Sequence, residues 1–256
     1  MFIVPSYPAP GNYQAIQETT TVGCKVGRWC HHAWIVSRHG KINCSVNSDT
    51  CQRERAYPCW QANKLPGDFQ KNIYKGGMFI RFWVKSNTYP KTRNGVNAWH
   101  SPATATFDSS SSGDSVVTLE IDPDGYLNIF HVPYAGMAVR IFQVDSVNDP
   151  SGSARFPLNQ WNRVDWFLKP DSNGYTKVWL NGKLNSTANL FRRPYISFVH
   201  LGLYASPDEG PCPSSGCDGV PGDSVEYWND GVVFESVANE AEAVANFRPD
   251  VAPRGF

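Results

Sequence analysis

Hydrophobic and polar residues alternate with a period of two along much of the chain. The clearest example is the segment 161–183, where alternation predicts two neighbouring strands with one apolar face each. The apolar side chains on these faces are Val164, Trp166, Leu168, Val178 and Leu180. A polar turn at 171–174 separates the strands, and Asn181-Gly182 follows the second. Asn-Gly between extended runs is a strong hairpin signal, because both central positions of a type I′ turn need a positive φ.

The same pattern recurs elsewhere, with Gly, Pro, Asn or Asp between the runs. The further predicted strands are 34–36, 78–84, 116–121, 126–130, 139–144, 196–204, 225–228 and 231–234. One helix is predicted, over 236–246, where alanine is frequent. Many short strands with regular turn signals predict an all-β fold, an antiparallel β-sandwich. Trp83, Trp166 and Trp179 sit at regular strand positions and are expected in its core.

The cysteines favour a stapled, loop-rich N-terminal segment. The chain has seven cysteines, of which five lie between Cys24 and Cys59, while Cys212 and Cys217 enclose a short Pro/Gly loop that suits a local disulfide. The first five could supply two bridges and leave one thiol. Zinc is the rival explanation, since His31, His32 and His39 are near, but the chain has no Cys-x-x-Cys pair.

Charge and hydropathy exclude some classes of function. The chain has 23 basic and 23 acidic residues and a formal net charge of zero, which is unlike a nucleic-acid-binding protein. No apolar run reaches the length of a membrane span. The run 1–4 is too short for a signal-peptide core, so the protein is either not secreted or numbered as a mature form behind an added Met. Disulfides favour a secreted protein, as does the N-glycosylation pattern Asn185-Ser186-Thr187.

Three short motifs carry a resemblance to a known superfamily. Asn97-Ala98-Trp99-His100 is similar to a Gln-x-His strand, 200–204 to a Lys-x-Gly-x-Tyr strand, and 53–55 to an Arg-x-Glu strand. Over about 76–234 the chain resembles the concanavalin-A-like, laminin-G-like jelly roll, and within it the polysaccharide lyases of the heparin-lyase-I and glucuronan-lyase type. It departs from their motifs at Ala98, which replaces Gln, and at His200, which replaces Lys.

The resemblance implies a lyase that cleaves an anionic, uronic-acid polysaccharide by β-elimination. A base must remove the proton beside the carboxylate, an acid must protonate the leaving oxygen, and a cation must neutralise the carboxylate. His100 is the expected base, Tyr204 the acid or second base, and Arg55 the carboxylate partner, with Arg53 or Arg81 as alternatives. The residues expected to bind substrate are Asn97, Trp99, Arg53, Arg81, His131, Tyr134 and His200, and Trp60 is a further candidate for sugar stacking. This assignment predicts that His100→Ala abolishes activity and leaves the melting temperature nearly unchanged.

The resemblance also implies a division of the chain and a candidate ion. We expect a cysteine-rich N-terminal elaboration over 1–66 that covers a sheet edge, a concanavalin-like β-jelly-roll over 67–238, and a C-terminal helix and tail over 239–256. Related jelly rolls often hold a structural calcium ion (Ca²⁺), which needs several oxygen ligands. The acidic residues considered for it are Asp208, Glu209, Asp218, Asp223 and Asp230.

Two further functions stay open. A non-catalytic glycan-binding module of the laminin-G or lectin type would explain Ala98 and His200. A structural protein of a virion, filament or cell surface would need neither sugar nor catalyst. A glycoside hydrolase is disfavoured, because the chain has no Glu-x-Asp-x-Glu run to supply its paired carboxylates.

Overall fold

The computed structural model describes the greater part of the chain, and all structural statements refer to that part. The described residues are 2–3, 13–37, 41–42, 54–56, 59–61, 67–90, 92–93, 96–97, 99–107, 115–134, 137–141, 154–171, 173–190, 196–205, 217–218 and 224–245. They form mainly antiparallel strands in two large sheets. The predicted all-β sandwich is therefore confirmed.

The first large sheet has eight strands. Its order is β1 (Phe2–Ile3), β6 (Cys59–Gln61), β17 (Ile196–Ala205), β10 (His100–Phe107), β11 (Ser115–Ile121), β12 (Leu127–Tyr134) and β13 (Met137–Ile141), and β5 (Glu54–Ala56) also pairs with β17.

The second large sheet has seven strands. Its order is β16 (Lys183–Asn189), β15 (Tyr175–Leu180), β14 (Asn162–Lys169), β7 (Met78–Ser86), β19 (Ser224–Ser236), β3 (Cys30–Ser37) and β2 (Tyr13–Thr20). Two small sheets pair β4 (Lys41–Ile42) with β18 (Cys217–Asp218) and β8 (Thr92–Arg93) with β9 (Val96–Asn97).

The predicted hairpin lies between β15 and β16. Asn181 and Gly182 have φ values of 52° and 83°, the two positive values that a type I′ turn requires. The Asn181 side chain also accepts a hydrogen bond from the backbone N–H of Arg163, at 2.9 Å, and so ties the turn to β14. Local turn chemistry thus sets the register of three neighbouring strands.

The core lies between the two large sheets and takes alternate side chains from each. Ile80, Phe82 and Trp166 from the seven-stranded sheet pack in one cluster with Ala105 and Leu119 from the eight-stranded sheet, and all five are fully buried. Burial of apolar area at about 25 cal/mol per Å² makes this cluster the main source of stability.

The three tryptophans expected in the core have different positions. Trp166 lies between the sheets, as predicted. Trp179 is buried on the outer face of the seven-stranded sheet, in a second cluster with Phe79 and Ala243. Trp83 is only half-buried, because its position on β7 alternates with the core residues Phe82 and Val84.

The N-terminal segment contributes strands to both sheets. β2 is the edge of the seven-stranded sheet, and β3 joins it to β19 along the register from His31↔Asn229 to Val36↔Ser224. The segment therefore extends the sheet edge as paired strands. Cys24 and Cys30 form a disulfide in front of β3, with Cα atoms 5.4 Å apart, while the pairing of the other cysteines lies outside the described residues.

Two helices flank the sandwich. α2 (Glu240–Ala245) lies inside the predicted span but starts later, since β19 continues to Ser236. The Asn239 side chain accepts a hydrogen bond from the Glu242 N–H at 3.0 Å and so caps the helix. α1 (Gly67–Lys75) was not predicted, although Phe69 and Ile73 recur at helical spacing and Ile73 is buried in the core. Neither helix of the described residues is long and apolar enough to cross a bilayer.

Candidate functional site

A row of small hydroxyl side chains lies on the outer face of the eight-stranded sheet. Ala103 on β10 points into the core, so its neighbour Thr104 points outward. The register places Thr104 between Thr118 on β11 and His200 on β17. The hydroxyl oxygens of Thr104 and Thr118 lie 3.3 Å apart, and the Ser101 hydroxyl lies 3.3 Å from that of Thr104. All three side chains are almost fully buried, so these hydroxyls bond to one another beneath the surface of this face.

A β-bulge interrupts β10 next to this row. His100 pairs with Ile121, and Ala103 pairs with Leu119. Between these two pairs, β10 contains one more residue than β11. The extra residue lies at Ser101-Pro102, where proline has no N–H for the sheet. A bulge reverses the alternation of faces for all residues before it. Ser101 therefore points outward as the register partner of Tyr204.

The same bulge turns His100 into the interior of the sandwich. Its side chain is only 1% exposed, and its ring lies edge-on to that of Tyr227 from the opposite sheet, with 6.1 Å between the centroids. Its register partner Ile121 belongs to the core. The structure does not bring His100, the expected base, to the face that carries Tyr204.

Tyr204 lies on the outer face together with Trp99. The two rings meet edge to face, with centroids 4.9 Å apart and an angle of 78° between the planes. This is a favourable aromatic geometry, which orients both side chains. Both are half-buried, and so is His200, whose ring stacks 6.3 Å from that of Phe198. We call this surface the Tyr204 face; its residues are Trp99, Ser101, Thr104, Thr118, Glu120, His200 and Tyr204.

Several predicted residues are described only through their backbone, or not at all. The backbone of Arg55 on β5 is the register partner of Tyr204, so the two positions are adjacent on neighbouring strands. Asn97 pairs with Thr92 in a small sheet, and Tyr134 pairs with Met137. The side chains of these three predicted residues, and the whole of Arg53, lie outside the described residues, as does the Trp60 side chain.

Two predicted substrate-binding residues lie away from the Tyr204 face. Arg81 is on the seven-stranded sheet, where its Nε donates to Asp165 Oδ1 at 2.6 Å, and Arg163 Nε donates to the other oxygen at 2.9 Å. His131 is the register partner of the core residue Val117 and is 1% exposed. Strand pairing, which the sequence does not contain, places both residues on other surfaces.

Sequence reasoning did not find Glu120. This carboxylic acid is on the same face of β11 as Thr118, is almost fully buried, and is the register partner of Asn128. The Asn128 amide donates to Asp122 Oδ2 at 2.8 Å. Burial raises the pKa of Asp122, against the hydrogen bonds that it accepts from Tyr126 and Asn128. The alternation of 116–121 contained the signal, since its polar positions point away from the core.

Of the five acidic residues considered for calcium, only Asp230 has a described side chain. Its Oδ2 accepts hydrogen bonds from the N–H groups of Lys25 and Val26, at 2.7 and 2.6 Å, and its Oδ1 accepts one from Gly231, at 2.7 Å. The carboxylate thus holds the loop before Cys30 and does not fit a calcium ligand set. The neighbouring sulfur atoms are joined as a disulfide and offer no thiolate to an ion.

The N-glycosylation pattern is on β16. Asn185 is 8% exposed, and its amide donates to the backbone oxygen of Leu127 at 2.6 Å. A glycan on an amide nitrogen held in this way would have no room inside the fold. The pattern therefore adds no support for secretion.

Comparison of the sequence with models of known protein families finds no match, and comparison with curated proteins finds none. Solved structures do match. An endo-β-1,4-glucuronan lyase from the fungus Trichoderma reesei superposes with a TM-score of 0.57 and 15% identity, over 91% of each chain. Cellulose induced protein Cip1 superposes with a TM-score of 0.54 and 13% identity, over 90% of each chain. Identities this low establish a shared fold and no shared activity. The chain therefore shares with these two proteins a fold of two large antiparallel sheets.

Proposed function

We propose that the protein is a polysaccharide lyase that cleaves a uronic-acid polymer by β-elimination at the Tyr204 face. The observation that carries the proposal is the shared face of Tyr204, His200 and Trp99, with position 55 in register beside Tyr204. This combination supplies a phenol that can serve as base and acid, an aromatic ring, an imidazole and an arginine position on one face. The jelly-roll likeness to a glucuronan lyase supports the fold on which the proposal rests.

Tyr204 moves the proton in this reaction, and the other residues bind the sugar. As a phenolate, Tyr204 takes the proton from the sugar carbon that bears the carboxylate. The electron pair forms a carbon–carbon double bond as the bond to the 4-linked oxygen breaks. Tyr204 gives its phenolic proton to that leaving oxygen. Arg55 neutralises the substrate carboxylate, and Trp99 packs against a sugar ring. His200 lies four residues from Tyr204 on the same strand, about 13 Å along β17, so it contacts a neighbouring sugar.

The test is absorbance near ~235 nm during incubation with a panel of uronic-acid polymers, since β-elimination creates a conjugated double bond. We expect a rise with at least one polymer, and a loss of about a hundredfold or more in Tyr204→Phe, the usual worth of a general acid or base. Tyr175→Phe is the matched control. It removes a half-buried phenol that donates to Glu240 at 2.9 Å on the other sheet. A flat trace with every polymer contradicts the proposal.

A specific observation favours a second candidate function. His100 faces the interior, and Ala98 replaces the glutamine of the related motif. A jelly roll that has lost these groups would hold a glycan without cutting it. Binding of a polymer without any rise in absorbance would establish this glycan-binding module. A structural role is the outcome if neither cleavage nor binding is detected.

We also infer that the protein acts outside the cell. The Cys24–Cys30 disulfide supports this location, since such bonds persist in oxidising compartments. Calcium stays a proposal for Asp208, Glu209, Asp218 and Asp223. A melting temperature that chelation lowers and added calcium restores would support it, and an unchanged melting temperature would count against it.

A further inference from the structure

The outer face of the seven-stranded sheet carries an unusual number of aromatic side chains. The chain has nine tryptophans. Five of them lie on or beside this face, namely Trp29, Trp34, Trp83, Trp161 and Trp228. Trp29 is 56% exposed, and the other four are half-buried. We call this surface the tryptophan face. Apolar side chains that cluster at a protein surface can mark an interaction site.

A stacked row crosses this face from strand to strand. The register aligns Glu18 on β2, His32 on β3, Trp228 on β19 and Lys85 on β7. The His32 ring is nearly parallel to that of Trp228, with 4.5 Å between the centroids, and the Lys85 ammonium lies 3.9 Å from the Trp228 ring centre. The rings in this row pack against each other, which fixes their orientation.

Three cations accompany the tryptophans. Lys25 lies 4.6 Å from the Trp83 ring centre, Arg28 lies 5.2 Å from that of Trp29, and Lys85 also lies 5.6 Å from that of Trp161. None of the three cations forms an ion pair with an acidic residue in the described part of the chain.

The acidic groups of this face are already engaged. Asp165 binds two arginines, and Asp230 accepts backbone N–H groups. Glu18 and Glu226 face the two nitrogens of His32, at 3.2 and 3.4 Å. Lys25, Arg28 and Lys85 are therefore the cations of this face that no described carboxylate pairs with, while Glu18 and Glu226 contact the His32 ring.

The loop that carries Trp29 is held in place at several points. The Cys24–Cys30 disulfide closes it, and Asp230 binds the backbone of Lys25 and Val26. Trp161 Nε1 donates to the Gly23 oxygen at 3.1 Å. A surface that is ordered before binding loses little conformational entropy when a ligand arrives.

We propose that the tryptophan face is a second binding surface, which holds an anionic polysaccharide apart from the Tyr204 face. Indole rings pack against the apolar faces of sugars, and the three cations, which no described carboxylate pairs with, match carboxylates spaced along a polyuronate. A bilayer fits less well, because four of the five rings are half-buried in the sheet and, among the described residues beside them, only Val22 and Trp29 are exposed apolar side chains. The two faces belong to different sheets and point in opposite directions, so one molecule can hold two polymer chains. The proposal does not depend on lyase activity.

The test is binding of polygalacturonate and of alginate by affinity electrophoresis, with the full chain and four variants. Trp29→Ala and Lys85→Gln are expected to weaken binding to at least one polymer by about tenfold each, the size of a cation–π or stacking contact. Leu184→Ala and Lys183→Gln are matched controls. Leu184 is also 56% exposed and, like Lys183, lies on β16, at the far edge of the same sheet. Both controls are expected to bind as the parent does.

Further variants and a second probe distinguish the possible outcomes. Trp99→Ala on the Tyr204 face should leave the Trp29-dependent part of the binding intact. Equal affinities of the parent, Trp29→Ala and Lys85→Gln for both polymers overturn the proposal, and so does the absence of any binding. The alternative result is that the protein sediments with anionic phospholipid vesicles and binds no polyuronate. If Trp29→Ala abolishes that sedimentation, the result overturns the proposal in favour of a membrane contact. The proposal of a second binding surface does not depend on whether Tyr204→Phe loses lyase activity.

Discussion

The His100 ring meets the Tyr227 ring edge-on across the interior of the sandwich, with 6.1 Å between the ring centroids. One residue comes from the eight-stranded sheet and the other from the seven-stranded sheet. Both are almost fully buried. His100 thus helps to pack the two sheets against each other at the end of the core where β10 begins.

This contact reverses the stability expected of His100→Ala. Removing a buried ring leaves a cavity, and truncations of this kind cost about 2–5 kcal/mol. We expect a clear drop in melting temperature, measured by calorimetry, where the sequence alone predicted almost none. Trp99→Ala, one residue earlier on the outer face, is the control and should cost less. An unchanged melting temperature in His100→Ala would show that its ring lies outside the core.

Asp165 should be the most sensitive carboxylate of the described residues. It is fully buried between Arg81 and Arg163. Asp165→Ala leaves two arginines without their anion, and breaking a buried ion pair typically costs about 3–5 kcal/mol. Urea unfolding measures the loss. Lys71→Gln is the control, because the Lys71–Asp68 pair is 4.0 Å long and exposed. A loss in Asp165→Ala no larger than in this control would refute the assignment.

The pH dependence of stability should show the titration of His31. Burial, and then the neighbouring charge of His32, lowers the pKa of His31 from 6.5 to about 4. Since the folded pKa is below the unfolded one, the unfolded state binds the proton more tightly. The free energy of unfolding should therefore fall as the pH drops from about 6.5 towards 4. Urea unfolding at several pH values in this window measures the slope, which His31→Gln should flatten. Equal slopes in the two proteins would contradict this origin.

Alanine substitution at two glycines with similar positive φ values distinguishes backbone strain from steric crowding. Gly27 has φ +70° and open space where a Cβ would lie, while Gly125 has φ +89° and a Cβ there would lie 2.7 Å from the Tyr89 ring. Gly27→Ala should cost only the backbone term of about 1 kcal/mol. Gly125→Ala should cost more, because the Tyr89 hydroxyl donates to Phe156 O at 2.6 Å and holds the ring in place. Chemical denaturation of both variants gives the difference, and equal losses would mean that Tyr89 moves freely.

The sequence predicted those parts of the fold that local chemistry determines. The turn at Asn181-Gly182 was found because two positive φ values are needed there and these residue types tolerate them. The strands on either side followed from alternation. α1 was missed because it is only nine residues long and its apolar side, with Phe69 and Ile73, spans little more than one turn. The place of β2 and β3 in the seven-stranded sheet depends on their pairing with β19, which no local pattern encodes.

The candidate site was predictable in part. The alternation around 200–204 gives the outward position of Tyr204 once the core side of β17 is known. The direction of the His100 side chain could not be predicted from alternation, because the bulge at Ser101-Pro102 turns it to the other face of the sheet. Glu120 was not predicted as a residue of the site, because a single acidic residue in a strand sequence is usually a solvated surface residue. Residues far apart in sequence acquire a common surface only through the sheet register.

The bulge in β10 has a consequence for how such a protein can change. Successive side chains of a strand point to opposite faces of the sheet. Deleting one residue at 101–102 would therefore exchange the directions of Trp99 and His100, while the rest of β10 keeps its pairing. An imidazole would then stand beside Tyr204, and an indole would have to fit against Tyr227. A single lost codon could in this way move a histidine from the packing of the fold to its surface chemistry, provided that the core accepted the larger ring.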